Sequence, residues 1–353
     1  MILSNLALAA AVTIPSVIAG PIPEENPHGP NKTWTPPNLP QHPIGKNWSG
    51  WKGISNLFVF GDSYTTTSFD PRLAQPNATN PLGNPVSPSA PHGYTAVNGP
   101  GWVQQLTEVY NRSEILSYNL AYGGATVDSA IVAPYLPTVL SFRQQVNQEF
   151  FPYYVETGAN ARWNSNNALF CVFIGINDIG NAWYKSNATA IFDATFHVYA
   201  GLLDELYHAG ARNFLFINVP PVNLAPLTTS QGPSSISAEG AAIEGFNDRI
   251  SNLAYSVEYT YSDSTVFQFD THSLFDQVLE YPAAYPQTSG YKNTTAFCVA
   301  YENGTPALNT FDPSCGIPVD QYFWLNSLHP TYHVQDVMAQ LIAQELVAVP
   351  ART

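Results

Sequence analysis

The 353-residue sequence predicts an α/β protein, a flavodoxin-like three-layer α/β/α sandwich on a five-stranded parallel sheet. Three observations predict it. Five short runs, near 56–60, 115–121, 168–176, 214–219 and 266–269, are almost wholly apolar, the pattern of strands buried on both faces. Segments of helical period separate them, as parallel pairing requires. Three of the runs end in glycine and small polar residues, where right-handed crossovers gather ligand sites on one sheet edge.

The first run is Asn56-Leu57-Phe58-Val59-Phe60, broken by Gly61-Asp62-Ser63. Its end predicts Ser63 at the ligand-binding edge, with its N–H near the start of a following helix whose dipole favours negative charge. Taken alone, Gly-Asp-Ser after a strand is also an ordinary turn with a cap. Residues 65–101 are crowded with Pro, Asn and Gly and predict a long functional loop forming one wall of a cleft. A helix over 102–110 follows, then the strand that runs into Asn119 and Tyr122-Gly123-Gly124. Helical patterns cover 141–154. The third strand ends in Gly175-Ile176-Asn177-Asp178. An amphipathic helix over 189–209 has Gly210 placed to stop it. Further helices are expected over 237–259, 273–279 and 332–347, with His329 just before the last.

Residues 1–19 are mostly apolar and end in Ser16-Val17-Ile18-Ala19-Gly20, which reads as a signal peptide cleaved after Ala19 or Gly20. Pro15 and the short apolar core argue against a membrane anchor. Residues 20–53 form a Pro-rich arm expected to wrap the domain, with Trp34, Trp48 and Trp51 pinning it or binding sugar. The net charge of −14 excludes a nucleic-acid partner and a polybasic membrane contact. Only 11% of residues are charged, so the surface is expected to be made polar by Asn, Ser, Thr and Tyr. Sequons at Asn31, Asn47, Asn77, Asn111, Asn187, Asn293 and Asn303 fit a glycosylated, secreted chain. Of three cysteines, Cys298 and Cys315 share one loop-like region and are the expected disulfide, while Cys171 sits in an apolar strand as a small hydrophobe. No spacing implies a metal, and no cofactor is expected. A monomer is expected.

Acyl transfer by serine needs a nucleophile, a base and an oxyanion hole. Ser63, His329, and the N–H donors of Ser63, Gly124 and the Asn177 amide supply one of each from strand-end segments. The residues Gly61-Asp62-Ser63, 119–124, Gly175-Ile176-Asn177-Asp178 and His329 resemble, in order and spacing, the four blocks of the GDSL (SGNH) hydrolases. The resemblance covers 54–353 and implies a serine esterase domain. Ser63 lacks the Gly-x-Ser-x-Gly frame of nucleophile-elbow esterases. Residues 60–69, 119–129 and 324–333 are similar to fungal acetyl esterases of carbohydrate esterase family sixteen, which implies a small acetylated sugar from hemicellulose as substrate. A lipase or general carboxylesterase, and a non-catalytic carbohydrate-binding protein on the same fold, are the competing readings.

One position departs from the family. Three residues before the histidine, where most members carry Asp, stands Asn326. Its amide oxygen can orient the imidazole without supplying charge. Otherwise a backbone carbonyl or a carboxylate holds the ring, Asp320 being the nearest upstream aspartate, or the chain is inactive. An uncharged partner implies a lower His329 pKa. Trp183 and Tyr184, after the Asn177 block, either stack on a sugar ring or pack under the loop. Asp62 and Asp178 read as turn and helix caps, and His333 as a reserve base.

Overall fold

The computed structural model describes residues 44–157 and 160–352. The signal-peptide segment, residues 20–43 of the arm and Asn31 lie outside the described residues. Five parallel strands form one sheet: β1 Asn56–Gly61, β2 Leu116–Asn119, β3 Ala168–Phe173, β4 Asn213–Ile217 and β5 Thr265–Phe269. Their order is β2-β1-β3-β4-β5, the flavodoxin-like order that the alternating pattern predicts. Every residue of β1 and β3 is buried, which is why these strands read as unbroken apolar runs and not as alternating ones.

The helices are α1 Trp102–Glu108, α2 Phe142–Gln144, α3 Ile176–Gly180, α4 Ala188–Ala209, α5 Pro226–Thr229, α6 Pro233–Thr260, α7 Thr271–Glu280 and α8 Tyr332–Ala348. They sort into two groups by contact, the two outer layers of the sandwich. α8 meets α1 and α7, and α4 meets α2 and α6. Gly210 adopts φ 115° and ends α4, as its position predicts. α2 runs on into a π-helical stretch, Gln145–Glu156, with Pro152 inside it. A proline has no N–H to give and crowds the i−4 carbonyl, so an ordinary helix is disfavoured there.

One boundary beside the site differs from the sequence expectation. β3 stops at Phe173, and Gly175, at φ 128°, turns the chain so that Ile176 opens α3. A Cβ on Gly175 would lie 2.4 Å from the Phe246 ring, so only glycine makes this corner. The arm residues that are described join the main core. Trp48 and Trp51 are buried, and their indole N–H groups donate to the carbonyls of Val349 and Tyr110. Residues 65–101 contain neither helix nor regular strand. Their backbone groups are met by asparagine side chains instead: the Asn84 amide donates to the carbonyls of Asp70 and Ala74 and accepts from the Asp70 N–H.

β1 lies between β2 and β3, with Val59 opposite both Asn119 and Cys171. The segments that leave the C-terminal ends of these three strands therefore emerge side by side.

Candidate active site

Ser63 follows β1 on a tight turn. A Cβ on Gly61 would come within 2.4 Å of the Phe173 carbonyl, so the last strand residue must be glycine. Gln145 clamps this point: its amide oxygen accepts from the Gly61 N–H at 3.0 Å and its amide nitrogen donates to the Gly61 carbonyl at 2.8 Å. The Asp62 carbonyl then accepts from Thr65 and Thr66, and its carboxylate from the Tyr64 N–H, so Asp62 is a turn cap as expected of the residue type. Ser63 is not at the start of a helix, contrary to the expectation. After one turn the Thr65 carbonyl is captured by the Asn119 amide at 2.8 Å and the Thr67 carbonyl by the Tyr94 N–H, and the next helix begins only at Trp102.

His329 arrives from the other end of the chain. Trp324 and Pro330 pair as an antiparallel bridge, and Leu325 donates to the His329 carbonyl, which closes residues 324–330 into a narrow loop. Inside it the Asn326 amide oxygen accepts from the N–H groups of Leu328 at 3.0 Å and His329 at 2.8 Å. The same oxygen lies 3.1 Å from His329 Nδ1, and His329 Nε2 lies 2.7 Å from Ser63 Oγ. An amide oxygen only accepts, so Nδ1 carries the proton and Nε2 presents its lone pair to the serine hydroxyl. Tyr64 braces the loop from below: its hydroxyl donates to the Leu328 carbonyl at 2.6 Å and its ring centre is 5.5 Å from that of His329.

Among the described residues, neither the Ser63 N–H nor the Gly124 N–H has a protein acceptor. Gly124 holds φ 84°, and a Cβ there would meet the Tyr135 ring at 2.2 Å. Asn177 donates one amide N–H to the Ala125 carbonyl at 2.9 Å. That bond fixes its plane beside the Gly124 segment and leaves its second N–H. Asp178 reaches across to the Val127 N–H with both carboxylate oxygens at 3.1 Å, tying the same two segments together. This is a cross-link and not the helix cap the sequence suggested.

Burial in apolar surroundings, with no carboxylate beside it, pushes the His329 pKa down to about 4. Burial acts the opposite way on acids. It raises Asp62 and Asp178 to about 7, and Glu149 and Glu345 to about 8. Oδ2 of Asp62 is buried without a hydrogen-bond partner. In the unfolded chain these carboxyls titrate near 4. Between about 4 and 7 the folded chain keeps protons that the unfolded chain has released, so their contribution to stability grows as pH falls and is lost as pH rises through 7. His329 opposes this below its ordinary 6.5, because the unfolded ring takes a proton that the folded one refuses. Burial lowers His333 as well and raises Glu239 as well, so five raised acids face two lowered histidines and outweigh them. The melting temperature is expected to be higher at pH 5 than at pH 8, by roughly 5 °C. A scan that shows the reverse order contradicts the burial of these acids.

Other sequence candidates fall elsewhere. Asp320 is not the partner of His329; it is close enough to Tyr332 and His333 to perturb their charges. His333 lies against Tyr332, the ring centres 4.1 Å apart and the planes tilted by 34°, and Ser63 is met by His329 instead. Trp183 is half-buried against the core and Tyr184 is 63% exposed, the two rings meeting edge to face. Cys298 and Cys315 are joined, and Cys171 is a buried thiol. Sequence reasoning missed Gln145, one of four amide residues between 144 and 148 with nothing local to single it out. It also missed Tyr135, 71% exposed with its ring against Gly124, for which the sequence holds no signal.

The profile of the GDSL-like Lipase/Acylhydrolase family matches residues 57–342. An acetylesterase from Thermothelomyces thermophilus is 37% identical over 288 residues, covering 81% of this chain and 86% of its own. A GDSL esterase/lipase of Arabidopsis thaliana is 22% identical over 40% of this chain and 39% of its own. Among solved structures, an acetylxylan esterase from Geobacillus stearothermophilus aligns over 84% of this chain and 96% of its own, with 14% identity and a TM-score of 0.45.

Proposed function

The chain belongs to the GDSL-like lipase/acylhydrolase family and is a carboxylic ester hydrolase; from that premise we propose that it is a secreted acetylesterase that removes acetyl groups from hemicellulose-derived oligosaccharides through an acyl-enzyme on Ser63. The observation that carries this reading is the 2.7 Å contact between Ser63 Oγ and a His329 ring whose other nitrogen faces the Asn326 oxygen.

Ser63 Oγ attacks the acetyl carbonyl as Nε2 of His329 takes its proton. The carbonyl oxygen becomes an oxyanion and is met by the N–H groups of Ser63 and Gly124 and the second amide N–H of Asn177. Each such donor contributes roughly 3 kcal/mol to the barrier reduction. His329 returns the proton to the departing sugar hydroxyl, and water then opens the acyl-enzyme by the same steps in reverse order. Asn326 keeps the ring in the tautomer that can accept. The acetyl preference is supported by the 37% identical acetylesterase. The sugar is supported by aromatic rings on segments that adjoin the site: exposed Tyr135 against Gly124, and half-buried Trp183 with exposed Tyr184 after the Asn177 helix. Secretion is supported by the apolar N-terminal stretch and the disulfide. Of the sequons, Asn77, Asn187 and Asn303 are exposed, while the amides of Asn47, Asn77 and Asn111 donate to the Asp263, Gln75 and Thr107 carbonyls.

Acetate release from acetylated xylo-oligosaccharides, measured beside fatty-acid release from long-chain glycerides, tests the reading. The expected kcat/KM is at least about tenfold higher on the acetylated sugar, the scale on which a pocket discriminates by fit. Faster cleavage of the glyceride makes the protein a lipase.

A further inference from the structure

We propose that the loop closed by the Cys298–Cys315 disulfide is a positioning element of the active site, holding Asn326 through the main-chain carbonyl of Glu302. The inference rests on the reading that Asn326 orients His329. The three contacts of the Asn326 oxygen all lie within its own turn, to Leu328 and His329. Its amide nitrogen points outward and donates to the Glu302 carbonyl at 3.3 Å. Glu302 lies four residues after Cys298, inside the disulfide loop.

That carbonyl is held from both sides. Tyr301, 1% exposed, belongs to a satellite core with Val319, Tyr322 and Leu325, separate from the main core and packed against Cys298, Cys315 and Ile317. The Tyr301 hydroxyl donates to the Ile317 carbonyl at 3.0 Å and accepts from the Asp312 N–H at 2.7 Å. The Tyr322 hydroxyl donates to the Cys315 carbonyl at 2.7 Å. On the far side, Asn98 of the first long loop accepts from the Thr305 N–H at 2.7 Å and donates to its hydroxyl at 2.9 Å. A cluster this small is too limited to hold its own shape without a covalent closure. It touches the histidine turn through Leu325 and through the Asn326 amide, which are adjacent residues. A shift of the loop is therefore passed to the atom that sets the imidazole.

The same contact gives a physical reason for asparagine at this position. The Glu302 carbonyl offers a lone pair and asks for a donor. An aspartate would face it oxygen to oxygen, whereas the amide satisfies His329 with one atom and Glu302 with the other.

The test is a double substitution, Cys298→Ser with Cys315→Ser, made in the wild type and in Asn326→Asp, with kcat and KM measured on p-nitrophenyl acetate. In the wild type the expected loss in kcat is about tenfold or more, since small misplacements of a base are costly, with KM changed less than about twofold. In the Asn326→Asp background the loss is expected to stay below about twofold, because no amide N–H is left for Glu302 to hold. Unchanged kcat in the wild type, or equal losses in both backgrounds, overturns the proposal. Where the serine variants fail to fold, the native enzyme is treated with reductant while thiols are counted. Activity that falls as two thiols appear and returns on reoxidation supports the proposal; full activity with both thiols free overturns it. Neither negative result touches the assignment of Ser63 as nucleophile, which fails only if Ser63→Ala stays active.

Discussion

Replacing Ser63 by alanine is expected to lower kcat by about a millionfold, the loss seen when a serine nucleophile is removed from a working base and oxyanion hole. That corresponds to roughly 8 kcal/mol of barrier. The loss should be confined to chemistry. The Ser63 hydroxyl bonds to His329, and the turn around it is held by other atoms: Gln145 on Gly61, the Asp62 carbonyl on Thr65 and Thr66, and Asn119 on Thr65. The melting temperature should therefore move little, since a half-exposed hydroxyl with one partner contributes about 1 kcal/mol or less. Initial rates on p-nitrophenyl acetate and labelling by an organophosphonate measure both sides. A variant that keeps a few per cent of the rate, or still takes the label, has its nucleophile elsewhere.

The second large effect belongs to Asn326. Asn326→Ala removes the acceptor on Nδ1 and frees the ring to take the tautomer that cannot receive the serine proton. The expected loss in kcat is about 10³- to 10⁴-fold. Asn326→Asp should behave differently. It keeps an acceptor and adds a negative charge beside a ring whose burial holds its pKa at about 4. A neighbouring carboxylate favours the imidazolium, so the His329 pKa rises. Protonated His329 cannot act as a base, so the acid limb of kcat/KM is expected to move to higher pH, by about one unit or more. The native enzyme, with its neutral partner, is expected to stay active further into acid than this variant. An acid limb that is unmoved or falls in Asn326→Asp rules out His329 as the titrating base.

Much of this arrangement was legible in the sequence because the signals were local. Unbroken apolar runs mark strands buried on both faces, and Gly61, Gly124 and Gly175 stand where the backbone has no room or must turn against its preference. The order β2-β1-β3 then brings their ends together: the Tyr122 N–H donates to the Gly61 carbonyl and the Asn177 amide to the Ala125 carbonyl, an adjacency that follows from pattern and chirality. What the sequence hid was carried by long-range amides. Gln145 meets Gly61 across 84 residues and Asn119 meets Thr65 across 54, and no spacing rule reaches so far. The missing helix after Ser63 shares that origin only in part. Three β-branched threonines and Pro71 already disfavour a further turn, and the Asn119 side chain takes the Thr65 carbonyl that would have continued it. Glu302 acts through its main chain and leaves no mark on residue identity. The irregular segment 65–101 was visible only as a composition.

The double contact of Gln145 with Gly61 copies, with one side chain, what a neighbouring strand does with its peptide bond. The Gly61 carbonyl also accepts from the Tyr122 N–H at 3.0 Å, so the last rung of the sheet before the nucleophile is shared between the exit of β2 and a helix side chain. Apolar strand residues can drift among Val, Ile, Leu and Phe and still fill their volume. This rung admits no such substitution: a glutamate would set a second oxygen against the Gly61 carbonyl, and every shorter side chain falls short of it. A glutamine far from any motif thus fixes the strand end from which the nucleophile departs.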